Sequence, residues 1–148
     1  MENRASDADS KFYVDDQGER PDIVVCFLDA YFSPGGETNG VVIQVDQDRL
    51  AEFDFREVRY ERIGVSRLVA SPLPAGERIW TYRANPTAIE MSVKGRESGR
   101  AYISRHYVEY CRRGFELGGK AELDAYEGST DPPGIPLRTL SMVRQKPK

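Results

Sequence analysis

The stretch Ile23-Val24-Val25-Cys26-Phe27-Leu28 is apolar without interruption and closes on Asp29. A run this short and this rich in β-branched residues predicts a strand buried on both faces, because no alternation leaves a polar side for water. A strand covered on both faces needs packing layers on each side of it. The 148-residue chain is long enough for one domain with one core. Its composition agrees: 39% of the residues are hydrophobic and 30% are charged, which is not a disordered sequence. Lysine and arginine total 21 against 24 aspartates and glutamates, a net charge of −3, so the basic excess of a nucleic-acid-binding module is missing. No apolar run approaches the roughly 18 residues of a transmembrane helix. The start, MENRASDADS, lacks the apolar core of a signal peptide. The expectation is a cytoplasmic protein in which Cys26 and Cys111 stay reduced and buried. The single histidine, His106, excludes a multi-histidine metal site, and no C-x-x-C spacing supports a mixed one.

Local signals order the rest. Residues 1–11 read as a polar, frayed arm, 12–144 as one domain and 145–148 as a tail. Asp15-Asp16-Gln17-Gly18 is a turn. Val41-Val42-Ile43-Gln44-Val45 reads as a second strand, and Asp46 as the cap of a short helix through Leu50, Ala51 and Phe53. Val58 to Val69 alternates imperfectly, as a strand with a bulge at Gly64 does. Pro72, Pro74 and Gly76 mark a turn. Arg78 to Ala84 is a further strand, and residues 85–100 read as a loop with some helix. Ser104 is placed to cap a helix reaching Leu117, with Tyr107, Val108, Cys111 and Phe115 on its apolar face and Gly118-Gly119 ending it. Ala121 to Tyr126 gives another helical turn, and Leu137 to Val143 a last strand. Strands come mostly first and helices singly, which favours an α+β fold over a doubly wound sheet.

Chemistry-bearing motifs are scarce. Glycine-rich dinucleotide and phosphate loops, the G-x-S-x-G elbow and H-E-x-x-H do not occur. His106 falls near the start of a helix, where a solvated histidine is the ordinary reading, and Cys111 falls on an apolar helix face. Glu57 stands out at the junction of a helix and a strand, with Phe53, Phe55, Val58 and Tyr60 around it in sequence. Apolar surroundings disfavour an ionised carboxylate, which is how single-carboxylate acid/base sites are tuned. The bland alternative is a surface ion pair of Glu57 with Arg56 or Arg59.

Three blocks resemble the γ-glutamylcyclotransferase-like family. Asn39 to Asp46 is similar to the family's Asn-Gly-Val strand. Leu50 to Tyr60 is similar to its Leu…Asp…Glu…Tyr segment. Ile79-Trp80-Thr81-Tyr82, followed by Ile103 to Tyr110, is similar to its later strand and helix, with Gly114 in place of the helix glycine. The resemblance covers about Phe12 to Gly118. It implies a small mixed β-barrel flanked by helices. It also implies cofactor- and metal-independent intramolecular aminolysis, in which a γ-glutamyl α-amine attacks its own γ-carbonyl to give 5-oxoproline and a free amine. Glu57 takes the place of the acid/base glutamate, and Tyr60 and Tyr107 stand where the substrate pocket has tyrosines.

One departure is plain. The family's opening strand carries a Tyr-Gly-Ser loop whose amides grip the substrate carboxylate, and no such motif occurs in this chain. Either Met1 lies inside a longer protein, or this is a shortened member acting as a small-molecule or protein binding module through an open sheet edge. An unrelated α+β binding domain is the third reading.

Overall fold

Residues 1–3, 11–71 and 76–144 are described by a computed structural model. The apolar run becomes β2 of the series that follows, and both of its faces are covered. The strands and helices in chain order are β1 (Lys11–Val14), β2 (Val24–Cys26), α1 (Gln47–Arg56), β3 (Tyr60–Gly64) and β4 (Trp80–Ala84). Then come α2 (Pro86–Glu97), β5 (Ala101–Ser104), α3 (Arg105–Leu117), α4 (Lys120–Ser129), β6 (Leu137–Arg138) and β7 (Ser141–Arg144).

Successive side chains of a strand point to opposite faces, and β2 shows the consequence. Ile23 and Val25 join Met1, Tyr13 and Leu140 in one buried cluster, with Phe27 and Tyr102 packed against it. Val24 and Cys26 join Ala101, Ile103 and Ile135 in the other, flanked by Met91, Tyr107, Val108 and Leu137. β2 pairs in parallel with β5, and β5 in parallel with β6. Parallel neighbours need a crossover, and α3 and α4 supply it between β5 and β6. Two antiparallel pairs complete the architecture, β1 with β7 and β3 with β4. The chain is thus a mixed α/β fold. Among the described residues its strands form three separate small sheets, and no closed barrel is found.

The free side of β2 is lined by the start of the chain. Asn3 N–H donates to the Ile23 carbonyl and Val25 N–H to the Met1 carbonyl, at 2.9 and 2.8 Å. Asn3 is fully buried, donating from Nδ2 to the Tyr13 and Pro21 carbonyls and accepting from Tyr13 N–H. Met1 to Asn3 are therefore packed rather than frayed. Residues 4–10 of the expected arm, the 145–148 tail and the Pro72–Pro74 turn lie outside the described residues.

Several elements depart from the sequence reading for identifiable reasons. The ladder on β2 stops at Cys26, because its partner β5 turns into α3 one residue after Ser104. Val41–Val45 is not a strand: the described residues place no ladder beside it, and β-propensity without a neighbour builds nothing. Val41 is 88% exposed. The expected strand over 58–69 is regular only from Tyr60 to Gly64 and then makes a 3₁₀ turn at Ser66–Leu68. Gly64 forms no bulge but ends the ladder opposite Trp80, where an added Cβ would lie 3.3 Å from the indole. Residues 85–100 are mostly helix. Asn85 accepts from Ala88 N–H at the N-cap and Pro86 sits in the first turn, a combination that favours helix starts. Asp46 caps α1 as expected, accepting from Arg49 N–H at 2.8 Å. Ser104 stands at the N-cap of α3 but spends its hydroxyl elsewhere, donating to the Leu140 carbonyl at 3.0 Å.

Helix α2 approaches β2 closely at Gly95, where a Cβ would stand 2.9 Å from both Cβ and Cγ2 of Val24. Gly95→Ala is expected to destabilise the chain by about 1–3 kcal/mol, because the overpacking outweighs the gain in helix propensity. Urea unfolding checks this, and a native or raised midpoint contradicts the close seating of α2. Ser104→Ala, which strands the buried Leu140 carbonyl, is expected to cost about 1–3 kcal/mol in the same experiment.

Candidate functional site

Three elements meet at the corner after β2. Helix α1 ends on Glu57, whose backbone N–H closes the last turn onto the Phe53 carbonyl at 2.8 Å. The next strand starts at Tyr60. Its hydroxyl points back to the Leu28 carbonyl, a long contact of 3.5 Å. Tyr107, in the first turn of α3, lies beside the Leu28 backbone N–H and the Cys111 thiol one helical turn on, and both act on its hydroxyl. Its ring packs edge-on against Phe27, with centroids 5.2 Å apart and planes at 87°. A phenol buried in this way needs hydrogen-bond partners, and the Leu28 backbone lies beside both hydroxyls, its carbonyl at Tyr60 and its N–H at Tyr107.

Burial dominates the electrostatics. It pushes the Tyr60 hydroxyl up to about 12, helped by the Asp29 and Glu57 carboxylates and by Cys26. Tyr107 is raised further by burial and by Cys111, against which the Leu28 N–H pulls downward. Burial also raises the Cys111 thiol, partly offset by the hydrogen bond from Tyr107. Both phenols are therefore protonated, donor-capable hydroxyls throughout the neutral range.

The structure brings Tyr60 and Tyr107, remote in sequence, to the Leu28 corner, and Glu57, three residues before Tyr60, is near enough for its charge to act on the Tyr60 hydroxyl. The apolar setting expected for Glu57 is formed in part: Phe53 and Tyr60 are half-buried, whereas Phe55 is 85% and Val58 62% exposed. Arg56 pairs with it instead, Nε to Oε1 at 2.8 Å, and the Glu57 side chain is 27% exposed. This is the ion pair named as the bland alternative. Leu28 and Asp29 are the site residues that sequence reasoning passed over. The one signal for them is the position of Asp29, a charge closing an apolar run.

The other candidates lie apart. His106 lines a shallow hollow of about 240 Å³ with Glu109, Tyr110 and Arg113. A second hollow, of about 420 Å³, is lined by Gly64, Ser66, Arg67, Arg78, Ile79 and Trp80, at the far end of the β3–β4 hairpin from Tyr60. Among the described residues, no three His, Cys, Asp or Glu side chains gather as a metal-holding set. No helix among them is long and apolar enough to cross a membrane. Comparison with protein-family models, with curated proteins and with solved structures finds no match to this chain.

A pH dependence follows from the two phenols. An unfolded tyrosine ionises near pH 10, whereas folded Tyr60 holds its proton to about pH 12. The stabilisation is complete below the unfolded value and is lost as pH rises towards the folded one, because only the unfolded chain gives up its proton in between. Stability is expected to fall between about pH 10 and pH 12, and to fall less steeply in Tyr60→Phe. Urea midpoints at stepped pH measure this; parallel slopes for the two proteins contradict the burial of the Tyr60 hydroxyl.

Proposed function

We propose that the chain is a γ-glutamylcyclotransferase-like protein that converts a γ-glutamyl amine or peptide into 5-oxoproline and the free amine. The observation that supports this reading is the approach of Tyr60 and Tyr107 to Leu28, with the Glu57 charge acting on Tyr60, on the end of α1, on β3 and on α3, where the sequence resemblance puts an acid/base glutamate and two pocket tyrosines.

The chemistry is balanced without a co-reactant. Glu57 takes a proton from the α-ammonium group of the substrate, and the freed amine attacks the γ-carbonyl carbon. A C–N bond closes the five-membered ring, Glu57 gives its proton to the departing nitrogen as the original amide C–N bond breaks, and the second proton shed by the ring nitrogen passes through Glu57 to the released amine, which leaves as the ammonium. Proximity within one molecule supplies much of the rate. The pairing with Arg56 is no obstacle, since a partly exposed ion pair is worth little and yields readily to a substrate ammonium. Tyr60, whose contact with the Leu28 carbonyl is long, is the protonated hydroxyl that turns to the developing oxyanion, and Tyr107 walls the pocket beside it. The reading carries with it a small mixed β-barrel flanked by helices. It also carries a cytoplasmic setting, a small-molecule partner, no nucleic acid or membrane partner, and no cofactor.

A second reading, a binding module without turnover, is favoured by one observation. Val41, Val42 and Ile43 present β-branched side chains that are all more than 60% exposed, as a strand awaiting a partner edge does.

Glu57→Gln separates the two. Turnover of a γ-glutamyl panel, followed as 5-oxoproline release, is expected to fall by about 10²–10⁴-fold, the usual worth of a general acid/base. The thermal midpoint is expected to stay near that of the native chain, because Glu57 belongs to neither buried cluster. Equal loss of folding and activity makes Glu57 structural, and a native chain that binds the panel without releasing 5-oxoproline supports the binding module.

A further inference from the structure

The corner after β2 is fastened at a third point. The Asp29 carboxylate accepts a hydrogen bond from Ala84 N–H, Oδ1 to N at 2.9 Å. Ala84 is the last residue of β4 and the register partner of Tyr60 across the β3–β4 ladder. Leu28 and Asp29 thus grip a single rung of that hairpin twice, once at the Tyr60 hydroxyl and once at the Ala84 backbone. The next residue locks the segment between Glu57 and Tyr60 onto the same rung. Asn85 N–H donates to the Arg59 carbonyl at 3.0 Å, and Asn85 Nδ2 to the Val58 carbonyl at 3.2 Å.

These two ties between the corner and the hairpin pass through Tyr60 and Ala84, and the Tyr60 contact is long. The charge-assisted bond at Asp29 is the stronger of the two. Backbone N–H groups must find an acceptor, and here the acceptor comes from the loop that also holds both tyrosine hydroxyls.

We propose that Asp29 is a positioning residue for this site, its carboxylate clamping the Leu28–Asp29 corner to the Tyr60–Ala84 rung and so setting Tyr60, Tyr107 and Glu57 in one geometry. The proposal rests on the reading of Glu57 as the acid/base. The charge of Asp29 has a second effect, since it helps keep the Tyr60 phenol protonated.

The test compares the native 148-residue chain with Asp29→Asn and Asp29→Ala. Asparagine keeps an Oδ1 acceptor for Ala84 N–H and removes the charge; alanine removes both. In Asp29→Ala the Ala84 amide is expected to exchange roughly tenfold faster, the loss of about one hydrogen bond. The Tyr60 hydroxyl, followed by NMR of its ring carbon, is expected to titrate below its native value of about 12. For 5-oxoproline release from a γ-glutamyl amine, kcat is expected to fall roughly tenfold or more, as misplacement of a catalytic geometry does, with KM little changed. Asp29→Asn is expected to restore both the slow Ala84 amide and most of kcat, a rescue that a merely solvated carboxylate cannot give. An Asp29→Ala chain with native amide exchange overturns the clamp, and one with native kcat overturns the positioning role. If the native chain releases no 5-oxoproline, the Glu57 reading falls, and Ala84 exchange with the Tyr60 titration still decides for or against the clamp.

Discussion

The parallel ladder that pairs Val24 with Ala101, Val25 with Tyr102 and Cys26 with Ile103 joins the two buried clusters of this chain. Because β2 is covered on both faces, each of its residues belongs to one cluster or the other. The two cannot relax independently. The close seating of α2 at Gly95 transmits the position of β2 to the helix, and α3 leaves directly from the end of β5. The end of β2 is also where the site begins, so the rigidity of the ladder is inherited by the Leu28 corner. That corner carries no ladder of its own and is fixed by side chains: two phenols and one carboxylate.

What the sequence made legible was local. The cap of α1 at Asp46 needs only the aspartate and the amide three residues on, and the burial of β2 needs only its own composition. The extent of α3 was readable from Ser104 to Gly118, although the serine hydroxyl serves the Leu140 carbonyl and not the helix. The readings that failed depended on remote partners. Val41–Val45 has the composition of a strand, but a strand is a relation between two segments and the second is not beside it. The loop assigned to 85–100 hid a cap signal, Asn85-Pro86, that is visible once looked for.

The site divides along the same line. The resemblance grouped Glu57, Tyr60 and Tyr107, and the structure sets Tyr60 and Tyr107 on one corner. How Glu57 is surrounded could not be read that way, because Phe55 and Val58 flank it in sequence and turn to solvent in space. Neighbours along a chain at a helix-to-strand junction diverge in direction, so apolar company in sequence is a poor guide to desolvation there. The phenols lose water, and their altered chemistry comes first from burial and only then from neighbouring groups such as Asp29 and Cys111.

The long connection from Ala30 to Val45 crosses the surface near α4 without regular structure. Side-chain bonds tie it to that region, among them Tyr31 to Asp131 at 2.6 Å, Asn39 to Glu122 at 2.6 Å, and Ser129 to Thr38 at 3.4 Å. All three are exposed to water, which competes for each of them. Such a segment opens at little free-energy cost while the ladder beneath it stays closed. It is accordingly the place where a protease first finds extended backbone, and a single nick there leaves both clusters intact, with β2 on one fragment and β5 on the other, held together by their packing alone.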